Sequence, residues 1–452
     1  MTGAGNPPVL LWFRQDLRLS DNPALAAALK RGSAVIPVYI WAPDEEGDWP
    51  PGAASRWWLA QSLKSLDSDL QARGSRLIVS RGPTEEALNR LASESGAAAV
   101  FWNRRYEPAA VARDTRVKSS LRDKGLLAES FNGSLLFEPW TIQNQSGTPF
   151  RVFTPFWRTC LTKPIPLPSK EVPRRLRAAE KWPRSLEIAG LNLEPSTDWA
   201  AGFREAWQPG EPGAARRLDR FRNEALDQYP EDRDKPGIPG TSGLSPHLHF
   251  GEIGPAQVWR AIDSFSRGGR TPAAEAYLRQ LVWREFAHHL LYHFPDSPHA
   301  PLRPEFAGFP WKKKPEWFKA WTRGRTGYPL VDSGMRELWH TGWMHNRVRM
   351  VVASFLVKHL LIPWQDGAAW FWDTLVDADL ANNTLGWQWV AGCGADAVPY
   401  FRIFNPATQA AKFDPDDIYV RRWVKEAASP EPIVEHGEAR RRALDAFASI
   451  RK

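Results

Sequence analysis

Apolar positions in the first 140 residues form short runs separated by stretches of helical periodicity. VLLWF (9–13) and AVIPVYIW (34–41) are continuous and rich in β-branched residues, the pattern of strands buried on both faces. RLIVS (76–80), AAVFWN (98–103) and LLAESF with GSLLFEP (126–139) extend the series. Between these runs the spacing predicts helices over 22–30, 55–73, 83–95 and 109–124. Alternation of this kind predicts an α/β amino-terminal domain over 1–140, a parallel sheet covered by helices.

The pattern then changes. Residues 139–195 hold nine prolines and a basic cluster of Lys163, Lys170, Arg174, Arg175, Arg177, Lys181 and Arg184. Proline at this density breaks helices and central strands, so 141–200 is expected to be a connector on the surface, either solvated or touching an anionic partner. From about 201 to 452 helical periodicity dominates. Residues 273–293 and 334–361 place apolar residues three and four apart, mixed with Arg, His and Asn, which predicts long helices around a polar cavity.

Composition adds three points. The 452 residues carry 59 basic and 51 acidic side chains, a net +8 that suits a polyanionic partner. Cys160 and Cys393 match neither a disulfide framework nor a metal-ligand spacing, and a reducing cytoplasm is the expected compartment. No signal peptide is read at 1–13, and the apolar stretch 350–364 is interrupted by Lys358 and His359, so no membrane span is expected. The 24 tryptophans are an abnormal number; most must pack a core, while some could stack on bases or a cofactor or carry electrons.

Three segments carry candidate chemistry. FRQDLRLSDNPAL (13–25) follows the first strand without a glycine fingerprint, so nothing supports a nicotinamide dinucleotide there. TSGLSPHLHFGEI (241–253) could offer N–H groups and hydroxyls to a phosphate, with the positive end of a following helix, or form a turn and N-cap. In DADLANNTLGWQW (377–389), Asp377 and Asp379 lack a third ligand and no metal is expected; an ion pair with Arg347 or Arg349 of GWMHNRVRM (342–350) is the better structural reading.

These segments, with LVWREF (281–286), the run 324–364 and PYFRIFNPATQAAKFDP (399–415), resemble the photolyase and cryptochrome flavoproteins over nearly the whole chain. The resemblance implies a Rossmann-like α/β antenna domain followed by an all-α domain holding FAD in a bent form. Tyr229 and Thr241, Ser242, Gly243, Leu244 and Ser245 would contact its phosphates; Arg284, Asn346, Arg349, Asp377, Asp379 and Asn383 would line the rest. Trp387, Trp364 and Trp311 match the family's electron relay from surface to flavin.

Within the family, Asn383 points to DNA repair, because a neutral amide adds no negative charge beside the reduced anionic flavin; plant cryptochromes carry a carboxylate there. The absence of a long tail after the flavin domain is expected to point the same way. His345 followed by Asn346 and Arg347 resembles the enzymes for cyclobutane pyrimidine dimers, not those for the (6-4) lesion. Trp283 and Trp389 would then wall the lesion pocket, Asn346, Arg347 and Met350 would surround the dimer, and Arg233, Arg347 and Arg402 would take DNA phosphates. The expected partner is DNA containing pyrimidine dimers, bound by a monomer. A cryptochrome-like blue-light photoreceptor is the alternative.

The chain departs from the pattern twice. Gln280 stands where the dimer enzymes usually carry a glutamate, and the stretch between Trp423 and Pro432 is shorter than in relatives. The family also implies an antenna, a folate such as methenyltetrahydrofolate or a deazaflavin, against PGAASRWWL (51–59) and NRRYEP (103–108) with Glu107 as a ligand; an empty cleft is the other reading.

Overall fold

A computed structural model describes residues 6–169, 171–265, 271–397, 401–425 and 430–450. Lys170, Pro399, Tyr400 and part of the short stretch after Trp423 lie outside the described residues. Five parallel strands, β1 (Val9–Phe13), β2 (Val35–Trp41), β3 (Ile78–Arg81), β4 (Ala99–Asn103) and β5 (Leu127–Phe131), lie in the order β3-β2-β1-β4-β5. The continuous apolar runs have a simple cause. Val9, Leu11 and Phe13 enter one core while Leu10 and Trp12 enter another on the opposite face. Helices α1 (Pro23–Lys30), α2 (Ala53–Gln71), α3 (Thr84–Ser95) and α4 (Pro108–Asp123) cover the sheet near their predicted positions.

Three predicted stretches differ. GSLLFEP is not a strand: its backbone finds partners on a helix of the second half instead of a sheet edge. Leu136 N and Phe137 N donate to Glu285 Oε2 at 2.8 and 3.1 Å, and Arg284 Nη1 donates to Ser134 O at 2.8 Å. The proline-rich connector contains α5 (Phe153–Cys160), whose Phe153, Phe156, Trp157 and Cys160 are buried in the helical core. The long helix expected over 334–361 is two helices and a wider π turn.

The helices that build the site are α6 (Ser245–His249), α7 (Pro272–His293), α8 (Pro329–Thr341), α9 (Asn346–Ser354), α10 (Trp364–Thr374) and α11 (Leu380–Ala391). Gly342, with φ +67°, ends α8 in the left-handed conformation, and a π turn over Phe355–His359 continues α9. The two halves are stitched together. Leu17 N donates to Phe250 O at 3.0 Å, Arg18 Nη1 to Gly251 O at 2.9 Å, Trp58 Nε1 to Glu252 Oε1 at 2.8 Å and Ala53 N to Asp373 Oδ1 at 2.9 Å.

Candidate functional site

The order of the sheet reverses direction at β1 and β4, and in open parallel sheets the crevice at the carboxyl ends beside such a switch point is the natural ligand site. A cleft opens there. Arg14 and Gln15 after β1, Ala42 and Pro43 after β2, and Arg105 after β4 face His249, Phe250, Trp372 and Ala378 across it, with Pro51, Ser55 and Leu59 of the 51–59 segment also lining it. Glu107 stands behind this wall, 3.1 Å from Arg105. Burial alone would raise the Glu107 carboxyl, but Arg105 outweighs it and holds it low.

The second half supplies a denser constellation. On α7, Tyr277, Gln280, Arg284 and His288 recur at three- and four-residue intervals and share a stripe, with Trp283 beside it. Asp379 is the N-cap of α11, accepting from Asn382 N at 2.8 Å, which places Asn383 in the first turn. His288 Nε2 lies 3.4 Å and His249 Nδ1 3.6 Å from Asp379 Oδ2. Burial would raise the Asp379 carboxyl, yet the two imidazoles outweigh it and keep it well below the usual range. His288 is raised in turn: burial pushes it down, and Asp379 more than reverses this. Asn383 Nδ2 donates to Ala368 O at 3.0 Å, so its amide orientation is fixed.

Of the two arginines considered for Asp377, Arg349 makes the pair, Nη2 to Oδ2 at 2.8 Å, and its Nε donates to Met344 O. Arg347 pairs with Asp234 at 2.7 Å instead. Helix α9 carries both, and its N-cap is His345, whose Nδ1 accepts from Arg347 N at 3.2 Å. Asn346 is exposed one turn from Met350, 4.0 Å from its sulfur.

The hydroxyl segment is a turn built on Gly243 at φ +61°. Tyr277 Oη donates to Ser242 Oγ at 3.0 Å and Trp343 Nε1 to Ser245 Oγ at 3.2 Å. A Cβ at Gly243 would sit 2.6 Å from Arg217 Nη1, the movable end of a long side chain, so the left-handed backbone is what favours glycine here. Burial pushes Arg217 down to about 10. Tyr229 packs edge-on against Tyr277 at 5.3 Å. The following helix α6 has five residues, so its dipole is small; the groups here that could face an anion are Arg217, the hydroxyls and the backbone amides. Arg284 spends Nη1 on Ser134 O, at 2.8 Å.

Trp387, Trp364 and Trp311 share one apolar core, the first two buried. Trp387 lies 5.0 Å from Phe371 and 6.3 Å from Trp321, and Trp311 lies 4.3 Å from Phe309. Trp283 has one face stacked on Phe153, centroids 3.7 Å apart at 6°. Arg402 lies over Trp389 at 5.1 Å, while Arg233 lies over Tyr229 at 5.4 Å and reaches Gln280.

Comparison with known proteins decides what this arrangement belongs to. Residues 9–174 match the family described as DNA photolyase, and residues 277–429 match the FAD binding domain of DNA photolyase. A deoxyribodipyrimidine photo-lyase of Agrobacterium fabrum is 49% identical over 98% of both chains. The chain belongs to the DNA photolyase family. Among solved relatives, a class III photolyase from Agrobacterium tumefaciens superposes with a TM-score of 0.95 at 47% identity, covering 100% of this chain and 99% of that one. Cryptochrome-2 of Arabidopsis thaliana is 43% identical over 94% of this chain and 72% of its own, so the chain's relatives include a cryptochrome as well as photolyases.

The residues of this photolyase-family chain fit FAD. Asp377 Oδ1 is buried without a protein partner while Oδ2 holds Arg349, leaving an acceptor for a ligand donor. The Gly243 turn and Arg217 suit a diphosphate. Among the described residues, no group of three or more His, Cys, Asp and Glu is placed to hold a metal ion, and no helix is long and apolar enough to cross a membrane. Sequence reasoning missed His249, His288, Arg217 and Asp234. His288 was within reach, one turn after Arg284 on the same stripe; Asp234 and Arg217 had no local signal.

Proposed function

We propose that this chain is a light-driven lyase that splits cyclobutane pyrimidine dimers in DNA. The chemistry that bound, reduced FAD supplies is a light-excited electron, lent to the dimer and recovered after its ring opens. The chain's residues bind, orient and exclude water. Thr241, Ser242, Leu244 and Ser245 around Gly243, with Tyr229, hold the diphosphate. Arg349 with Asp377, Asp379 with His288, Arg284 and Asn346 fix the remainder of the cofactor. Trp283, Trp389, Asn346 and Met350 hold the flipped-out dimer against it, and aromatic walls offset the cost of unstacking, a few kcal/mol. Trp387, Trp364 and Trp311 restore the reduced state from the surface.

The observation that carries this reading is Asn383. It is neutral and anchored through Nδ2 to Ala368 O, so no carboxylate repels the electron-rich cofactor at that position. The test is illumination of a thymine-dimer oligonucleotide with chemically reduced protein. Loss of the dimer only in light is the expected result; an intact dimer, with binding unchanged by light, refutes it. The 43% identity to a plant cryptochrome favours the second reading, a photoreceptor, which predicts light-dependent partner binding without splitting. The cleft at the strand ends is the proposed antenna site, for methenyltetrahydrofolate or a deazaflavin, with Arg105 held in place by Glu107. We place the protein in the cytoplasm as a monomer on DNA, in keeping with two buried free cysteines.

A further inference from the structure

The surroundings of Trp311 carry a charge that packing does not explain. Trp311 is half-buried at the margin of the core that holds Trp364 and Trp387, 4.3 Å from the Phe309 ring. The chain leaves it as Lys312, Lys313 and Lys314, pinned where Lys312 N donates to Leu361 O at 2.7 Å. The helix Pro315–Thr322 follows and adds Lys319, with Arg323 and Arg325 just beyond it. Residues 311–325 thus hold six basic side chains against Glu316, in a chain whose whole net charge is +8. All six but Lys312 are exposed.

Little of this charge is neutralised. Lys314 Nζ lies 4.0 Å from Glu316 and 5.6 Å over the Trp317 ring, where Arg442 of the terminal helix His436–Ser449 adds a further cation at 5.7 Å. Lys313 faces Asp366, whose carboxyl burial raises and Lys313 lowers in part. Lys319, Arg323 and Arg325 form no ion pair among the described residues. Helix stability does not account for the cluster either: Lys312–Lys314 precede a helix N-terminus, the positive end of its dipole, where cations are unfavourable.

We propose that this basic collar is a docking surface for an acidic redox protein that delivers single electrons to Trp311. The inference rests on the relay proposed above. Once Trp311 has given an electron inward it is one electron short; the partner's reduced centre supplies that electron and is oxidised by one, and any proton lost from the indole returns from water. The charged strip runs along an eight-residue helix, about 12 Å at 1.5 Å per residue, wider than one small anion covers. Electron-transfer encounters use small, charge-matched interfaces whose attraction speeds association more than it tightens binding.

The test illuminates the full-length, flavin-loaded protein with one of three reductants: reduced plastocyanin, an acidic copper protein; reduced cytochrome c, a basic haem protein; or neutral dithiothreitol. The readout is the light-dependent rate of donor oxidation. Plastocyanin oxidation is expected to slow about tenfold between low salt and about 0.2 M salt. Replacing Lys313, Lys319, Arg323 and Arg325 together by Gln is expected to cause a similar loss at low salt, to speed cytochrome c and to leave dithiothreitol unchanged. The control replaces Arg174, Arg175, Lys181 and Arg184 of the connector by Gln, removing the same charge elsewhere, and is expected to keep most of the plastocyanin rate. An equal loss in this control makes the effect one of net charge and overturns the inference, as does an unchanged plastocyanin rate in the collar variant. If that unchanged rate comes with weaker binding of undamaged DNA and a smaller slope of log K against log salt, the patch belongs to DNA. Trp311→Phe separates the two readings: it is expected to slow oxidation of all three donors, and full rates with all three overturn the relay together with this inference.

Discussion

Asp379 does two jobs that can be separated. It caps α11 through Asn382 N and pairs with His288 at 3.4 Å. Asn is as good a cap as Asp, so Asp379→Asn retains the helix start and removes only the charge. His288 should then fall from its raised value, and bound flavin should be released faster, followed by absorbance after dilution. The pH dependence follows from both shifts. The depressed carboxyl contributes stability above the ordinary carboxylate range near pH 4 and loses it as pH falls through the folded value. The raised imidazole contributes fully below about 6.5 and loses it as pH rises through its folded value. The pair is therefore worth most between about pH 4 and 6.5, and thermal unfolding of Asp379→Asn against the unaltered protein should differ most in that window. Trp387→Phe tests a different residue: light-driven reduction of the bound flavin should be lost, while chemically reduced protein still repairs. Loss of both would remove Trp387 from the relay. Asp379 and Trp387 were legible in sequence because their motif is local. His288 could be found only as a member of the Arg284 stripe, and its pairing with Asp379, like that of His249, was hidden because the contact joins three separate helices.

At the scale of elements, apolar runs located all five strands: β1, β2 and β4, buried on both faces, leave an unbroken signature, while the edge strand β5 is half-buried and shows a weaker one. It failed where backbone groups found side-chain partners: residues 133–139 have strand-like composition, but Glu285 and Arg284 take their N–H and C=O groups. Burial, the largest influence on Glu285, pushes it up to about 7 despite those bonds. Periodicity also ran through a break it could not register. Gly342 separates α8 from α9 at φ +67°, and a Cβ there would sit 2.6 Å from the Phe203 ring and 2.7 Å from Val376. The break aims α9, and with it Asn346, Arg347 and Arg349, into the site. Gly342→Ala should cost about 2 kcal/mol or more, from left-handed strain and overpacking together, read as a lower denaturant midpoint with an unchanged slope. Flavin content should fall in parallel, since α9 cannot tilt without moving Arg349 away from Asp377. Full stability and full flavin loading would show that the turn relaxes and that its position is not what sets α9.

Across the whole molecule, the net +8 is spread over a surface in which one arginine expected at DNA is already paired. Arg347 donates to Asp234 at 2.7 Å and lies over Phe413 at 4.3 Å, beside a shallow pocket that also exposes Glu231, Lys235 and Lys412. A phosphate approaching Arg347 must compete with the Asp234 carboxylate and is repelled by it, so part of the attraction that +8 provides is cancelled where the backbone would dock. Sequence could not show this, because Asp234 and Arg347 lie far apart in the chain and net charge carries no positions. Asp234→Asn removes the competitor and keeps the side-chain volume. Affinity for damaged and undamaged DNA should rise by the same factor, several-fold at low salt and less at 0.2 M, because the added attraction is screened. Arg347→Met in that background should cancel the gain and lower the slope of log K against log salt by about one. If Asp234→Asn instead weakens binding, the carboxylate serves to hold Arg347 in its binding pose, and the pair acts as a preformed contact rather than as a brake.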